Sequence, residues 1–312
     1  MSTALAQVAH SLRARALHCL HSHHALGALE DDGEIGDGLA YKALQETAMA
    51  ASLILRDGAA GSTECVLARE LLEFAWRQLR EGSLLYERLL RRPLATDAVE
   101  GYAHFTRAGY RHPGMERLLP HFAATGTAMV VEHVPNRRLA VANALRITGH
   151  DHAVGADDWE TLTRATWLGS KPEPWHIDWM TGYHLTHTVF HLTDWGRHPE
   201  GLPGDVAAYL TRWLPVWTDV WMEACQWDLV GELLIVDSCL PEPHGEISDW
   251  QHLADLQHAD GLLPRDGQPV DDDPDTRFHD NQHPTIVAAV AGTIALTRAL
   301  DTRAPWASGG HP

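Results

Sequence analysis

No CxxC pair occurs in this chain; its four cysteines, Cys19, Cys65, Cys225 and Cys239, are scattered over 312 residues. Neither a disulfide framework nor a cysteine-rich zinc finger is indicated. No Lys/Arg block occurs either, and the formal net charge is −18, which argues against sequence-independent phosphate binding and against nucleic acid as a partner. The start, Met1 to Gln7, lacks the basic residues and apolar run of a signal peptide. The most apolar segment, 285–296, is too short to span a bilayer, so no membrane partner is expected and the cytoplasm is the expected compartment. Runs of β-branched alternation bounded by hairpin turns are also missing.

What is present is apolar content of 45%, enough for a large core, and a nearly unbroken succession of helical periods. The expectation is an all-α chain forming a single domain over 1–312. A first helix over about 3–26 stops at Leu26-Gly27, and a Gly/Asp-rich loop at 31–38 leads into Tyr41 to Arg56. Further helices are expected at about 64–80, 83–92, 97–109 and 114–124, then from Asn136 to Thr148, and over 157–168. Later ones run from Gly204 to Cys225, from Trp227 to Leu240, from Ile247 to Ala259 and from His283 to Leu300. Pro284 suits a first helical position, which would put His283 at a cap. Trp213, Trp217 and Trp221 follow one another at i, i+4, i+8 and read as packing against a neighbouring helix.

One segment, Tyr183 to Gly196, concentrates the chemistry. On a helix His184, His187, His191 and Asp194 share a stripe about 80° wide, while Leu185, Val189, Phe190 and Leu192 make the rest apolar. Imidazoles at i, i+4 can reach one metal ion, so His187 and His191 are candidate ligands. In the apolar helix after Trp227, Asp228 and Glu232 form an acidic pair that is costly to bury unless paired or metal-bound.

Apolar and amphipathic helices alternate along the chain, as an α/α toroid of five or six hairpins requires, with a buried inner ring and an outer ring. Trp250, Leu253 and Gln257 to Leu263, followed by a helix opening at His283, resemble the repeats of terpenoid cyclases and protein prenyltransferase β subunits, with Asp260-Gly261 in place of Gly-Gly. This resemblance covers the last ~60 residues. Thr186-His187, Leu192 to Gly196, Trp227 to Leu229 and His283 to Ala288 together also look like a group of actinobacterial proteins, which implies the fold but no activity.

In such a toroid the inner helices run parallel and their N-terminal ends meet at one mouth. His187, Asp228 and His283 are then the first-choice ligands, with His191 in reserve, for an N/O metal site. Zinc is the first choice and Fe²⁺ the alternative. Glu232 is left as general base or ligand-orienting partner, and His184 as proton donor or substrate contact; His279 lies at the same mouth. A prenyltransferase-like set, Asp237-Ser238-Cys239 with His283, ranks second, because Asp237 lies about 13 Å further along the helix than Asp228. Asp271 to Asp275 spells D-D-x-x-D but lies in a Gly/Pro-rich loop, and the D-x-D-D acid of protonation-type cyclases is absent. Arg137 and Arg138 either bind an anionic substrate group or pair with the surplus acids.

The reading is a metal-dependent enzyme, hydrolase or lyase in type and placed in secondary metabolism, acting on a small organic substrate in the toroid's cavity. Alternatives are a non-haem iron oxygenase, a terpenoid cyclase or prenyl-transferring enzyme, and a non-catalytic metal or ligand carrier. A cyclase would need an aromatic-lined cavity.

Overall fold

The computed structural model describes residues 2–29, 39–56, 58–125, 134–151 and 154–301, so the expected loop at 31–38 lies outside the described residues. The fold is all-α, and no strand occurs among the described residues. The helices are α1 (Thr3–His23), α2 (Leu39–Arg56), α3 (Ser62–Gln78), α4 (Ser83–Arg91), α5 (Asp97–Arg107), α6 (Pro113–Thr125) and α7 (Asn136–Ile147). They continue as α8 (Ala156–Arg164), α9 (Trp167–Ser170), α10 (Trp179–Thr193), α11 (Gly204–Glu223), α12 (Trp227–Cys239), α13 (Ile247–Leu256) and α14 (Pro274–Asp301).

Six of them pack in cyclic order. α2 lies on α5, α5 on α7, α7 on α10, α10 on α12, α12 on α14, and α14 returns to α2. The others lie outside this cycle: α1 and α13 pack on each other, α1 on α14 and α3, α4 on α5, and α11 on α12. The sequence pattern explains the division. Every residue of α12 is buried, as an element surrounded by neighbours must be, whereas α11 buries only Val206, Leu210, Leu214, Trp217 and Thr218. Trp217 belongs to that packing and donates its indole N–H to Pro174 O at 2.9 Å. Where α12 meets α14 the fit depends on a missing side chain: a Cβ on Gly231 would stand 2.6 Å from Val287 Cγ1.

α14 starts ten residues earlier than Pro284 leads one to expect. Asp273 accepts from Thr276 N at 3.0 Å and Thr276 Oγ1 at 2.9 Å, capping the helix, and Pro274 follows. His283 and Pro284 are therefore interior residues, not a cap. The acidic string 271–275 is thereby accounted for: it starts a helix on the surface. α14 is also longer than the apolar segment 285–296; over 274–300 it is long and apolar enough to cross a membrane by length and composition, with most of that window buried inside the protein.

The far end of the cycle is tied by one carboxylate. α10 ends at Asp194, whose backbone is left-handed at φ 45°, followed by Trp195 at 54° and Gly196 at 76°. Asp194 therefore leaves the histidine stripe and faces three arginines. Arg107 donates to its Oδ1, Arg56 lies 3.5 Å from Oδ2 and donates to the carbonyls of Asp194 at 2.8 Å and Trp195 at 3.0 Å. Arg146 donates to His191 O at 3.3 Å and to Asn143 Oδ1 at 2.7 Å, and Asn143 Nδ2 to Asp194 Oδ1 at 3.4 Å. Burial opposes the charge on Asp194, but Arg107, Arg56 and Arg146 outweigh it and hold the carboxyl below its ordinary range. The guanidinium groups come from the last turns of α2, α5 and α7, where they also meet helix C-terminal carbonyls. Asp194→Ala would remove the buried carboxylate that these three cations share, and equilibrium denaturation should show a loss of about 3–5 kcal/mol. A change within about 0.5 kcal/mol would show that the cluster carries no stability.

Candidate functional site

Residues late in α2, α5, α7 and α10 meet at Asp194, and residues early in the same helices meet at the opposite end. There Arg137 of α7 grips Glu100 of α5 with both Nη2···Oε distances at 2.5 Å. Asn136 donates to His184 O at 3.4 Å, and Tyr183 of α10 donates its hydroxyl to Asp228 of α12. The helices of the cycle thus run the same way. Between the two ends lies a cavity of about 230 Å³. Lys42, Glu46, Asp97, Glu100 and Arg137 line its mouth, and Met49, Ala144, Ile147, Phe190, Ile235 and Val290 form much of its apolar wall.

One wall gathers Glu232, His187 and His283. Glu232 is almost wholly buried, its side chain 4% exposed, and its Oε1 lies 3.7 Å from both His187 Nε2 and His283 Nε2. Its other oxygen accepts from Thr186 Oγ1 at 2.5 Å. Behind His283, Nδ1 lies 3.1 Å from Glu46 Oε2, and Glu46 in turn pairs with Lys42 at 3.4 Å. A line of alternating charge, Lys42, Glu46, His283, Glu232, therefore runs along the wall and ends against the His187 imidazole.

Burial works against ionising Glu232, but the two imidazoles outweigh it and hold the carboxyl down at about 2. Burial likewise works against charging His283, and Glu46 and Glu232 outweigh it, raising the imidazole to about 10. For His191, burial and then the nearby Arg137 keep the ring uncharged, well below the ordinary histidine range. Among the described residues its Nε2 finds no hydrogen-bond partner.

Of the residues singled out from the sequence, His187, Glu232, His283 and His191 line this cavity; Asp228 and His184 do not. Asp228 is corrected as a ligand. One of its carboxylate oxygens accepts from Tyr183 and the other from Leu229 N at 2.8 Å. Burial raises its carboxyl despite the Tyr183 bond. Glu232, one turn on, takes the place between the imidazoles. His184 serves through its carbonyl, which accepts from Asn136 and from Thr188 Oγ1 at 2.6 Å. His279 is exposed.

The rival site does not assemble: Asp237 accepts from His244 N, His244 Nδ1 and Gly245 N, each at 3.0 Å. Cys239 is a buried thiol that burial pushes up to about 12. Arg137 pairs with an acid, the second of its two expected roles. Among the described residues no group of three or more His, Cys, Asp or Glu is placed to hold a metal ion. Sequence reasoning missed Glu46 and His104, both of which line the cavity. Glu46 forms an i,i+4 pair with Lys42 and so looks like an ordinary surface acid.

Compared with models of protein families, residues 13–293 match one, described as a domain of unknown function (DUF6895). No curated protein and no solved structure matches the chain.

The opposed shifts at the wall set a pH dependence in the metal-free protein. His283 is raised, so its ion pairs stabilise the fold fully below about pH 6.5 and this is lost as pH rises toward about 10. Glu232 is depressed, so its contribution is present above about pH 4.3 and is lost as pH falls toward about 2. Denaturant midpoints should therefore decline from pH 7 to pH 10 in the native protein and much less in His283→Gln. Equal declines in the two would contradict the assignment.

Proposed function

The chain belongs to the DUF6895 family, and we propose that it is a metal-dependent enzyme acting on a small organic substrate in its central cavity. The observation that carries this is the approach of two imidazole nitrogens to one buried carboxylate oxygen on the cavity wall, at 3.7 Å each. Donor atoms about 2.1 Å from one ion at a tetrahedral angle stand about 3.4 Å apart, and each imidazole nitrogen stands 3.7 Å from Glu232 Oε1. Its surroundings are those of a ligand set. Thr186 fixes the free oxygen of Glu232 and Glu46 fixes the far nitrogen of His283, the partners that orient ligands and set the histidine tautomer. His187, Glu232 and His283 would hold the ion, with His191 one turn further along α10.

Zinc is the favoured ion, for hydrolase or lyase chemistry in secondary metabolism. A bound ion of this kind lowers the pKa of a water or polarises a carbonyl. Two histidines and one carboxylate equally suit Fe²⁺ and oxygen activation, so the identity of the metal separates the two. The cyclic packing supports an α/α toroid forming a single domain, and the cytoplasm is the location proposed for it. A terpenoid cyclase or prenyl-transferring enzyme is less well supported, since beside its histidines the cavity's aromatic rings are Tyr41, Phe190 and Trp195 among mostly aliphatic and charged residues.

A second reading has its own observation. Held between Glu46 and Glu232, His283 is a charged imidazole and Glu232 an ionised carboxylate. Without an ion the pair would transfer protons to and from a substrate directly. A non-catalytic carrier would use the same wall only to bind.

Elemental analysis by plasma mass spectrometry of untagged protein tests the metal reading. About one zinc or iron per chain is expected, lost in His187→Ala, Glu232→Gln and His283→Ala and kept in Asp228→Asn and His23→Ala. Metal content that is equal in all five, or absent even after reconstitution, would leave the acid–base reading in its place.

A further inference from the structure

The bottom of the cavity differs from its mouth. The charged residues that line the cavity, Lys42, Glu46, Asp97, Glu100, Arg137 and Glu232, all lie in the first half of their helices. Toward the Asp194 end the polar side chains on the lining are His104, Asn143, His191 and the indole of Trp195. Asn143 is committed, its Oδ1 to Arg146 and its Nδ2 to Asp194. The two imidazoles are not.

His104 can be given a tautomer from its neighbours. Its Nδ1 lies 3.1 Å from Ser52 Oγ, and Ser52 donates its one hydroxyl proton to Met49 O at 2.9 Å. With that proton placed on Met49 O, the ring is assigned as donating from Nδ1, which leaves Nε2 as the acceptor. Among the described residues nothing hydrogen-bonds to that atom. Burial and the neighbouring Arg107 keep the ring uncharged, at about 3. His191 beside it has an Nε2 that is buried and, among the described residues, without a hydrogen-bond partner. A buried imidazole nitrogen without a partner is costly unless a ligand supplies one.

Behind this floor Arg107, Arg56 and Arg146 surround Asp194, and at His104 the field of Arg107 and Arg56 exceeds that of Asp194. This local positive potential disfavours a cationic ligand. An anion would be drawn toward it but would find, at His104, an acceptor and no proton. The walls between floor and mouth are apolar. The volume, about 230 Å³, exceeds the roughly 150 Å³ that takes up benzene, which corresponds to a ring compound of about ten non-hydrogen atoms.

We infer that the floor of the cavity is a subsite for an uncharged O–H or N–H group on an otherwise apolar, single-ring ligand, with His104 Nε2 as the acceptor. The ligand's other end then lies toward Glu232, His187 and His283. This rests on the reading of the cavity as the substrate chamber, but not on a metal.

The test uses full-length protein dialysed against chelator and ligand-observed ¹⁹F NMR. The probes are 4-fluorobenzyl alcohol, 4-fluorotoluene, 4-fluorobenzylamine and 4-fluorobenzoate. The alcohol should bind most tightly, with a Kd about five- to tenfold below that of the toluene. In His104→Phe the advantage should vanish while the toluene still binds, and Ser52→Ala, which releases the tautomer, should reduce it. Should His104→Phe fail to fold, ¹⁵N shifts of the native protein still decide. His104 Nε2 should resonate as an unprotonated nitrogen and move when the alcohol is added.

Equal binding of alcohol and toluene, preference for the benzoate or the amine, no binding of any probe, or a protonated Nε2 would overturn the proposal. Because every arm is metal-free, loss of the metal reading leaves this result standing. Failure here with metal retained removes only the floor assignment.

Discussion

Asp194 is the constraint that the rest of the molecule depends on. A carboxylate buried against three arginines is stable only if they all arrive, and they arrive from α2, α5 and α7 to meet the end of α10. Four of the six helices in the cycle are thereby fixed in direction and in axial position. Once their last turns share one anion, their first turns must share the other end, and that is where the lining acids, His187 and His283 are. Charge is used oppositely at the two ends. At the closed end it is neutralised locally and kept from the lining, whereas at the open end it lines the cavity.

On the wall, geometry and electrostatics point the same way. Gly231 lets α12 approach α14 closely, and the next residue along α12 is Glu232. The carboxylate is thus set against His283 by backbone packing and against His187 by the packing of α10 on α12. Thr186 then fixes which oxygen is spent. A group prepared in this way changes little when a ligand or ion arrives, and such preorganisation is what binding and catalytic sites require.

The all-α class and most helix bounds were legible because 3.6-residue periodicity and Gly/Pro stops are local signals. His187 and His283, widely separated along the chain, were also legible, since one-way inner helices bring early residues together whatever their spacing. The choice between Asp228 and Glu232 was not. They lie one turn apart on a helix with no polar face, and what distinguishes them is Tyr183, a residue of another helix that uses up the first. The start of α14 was misjudged for a similar reason. Pro284 is a local signal for a helix start, but the capping bonds of Asp273 and the packing of α14 on α1, α2 and α12 outweigh it. His104 left no trace in the sequence: a lone histidine on an amphipathic helix takes its meaning from Ser52, which lies 52 residues earlier.

The cyclic packing also bears on the order of assembly. α14 touches α1, α2 and α12 and carries His283, so the chain's last described helix closes the cycle on helices made long before it. As the chain emerges from the ribosome, the apolar faces of α2 and α12 stand without a partner until α14 has been made. The enclosed cavity and its histidine–carboxylate wall come into being together at that final step. Long-range closure of this kind raises contact order and slows folding. It also leaves a late intermediate with a hydrophobic groove open along its side, the form most exposed to aggregation or to capture by a chaperone.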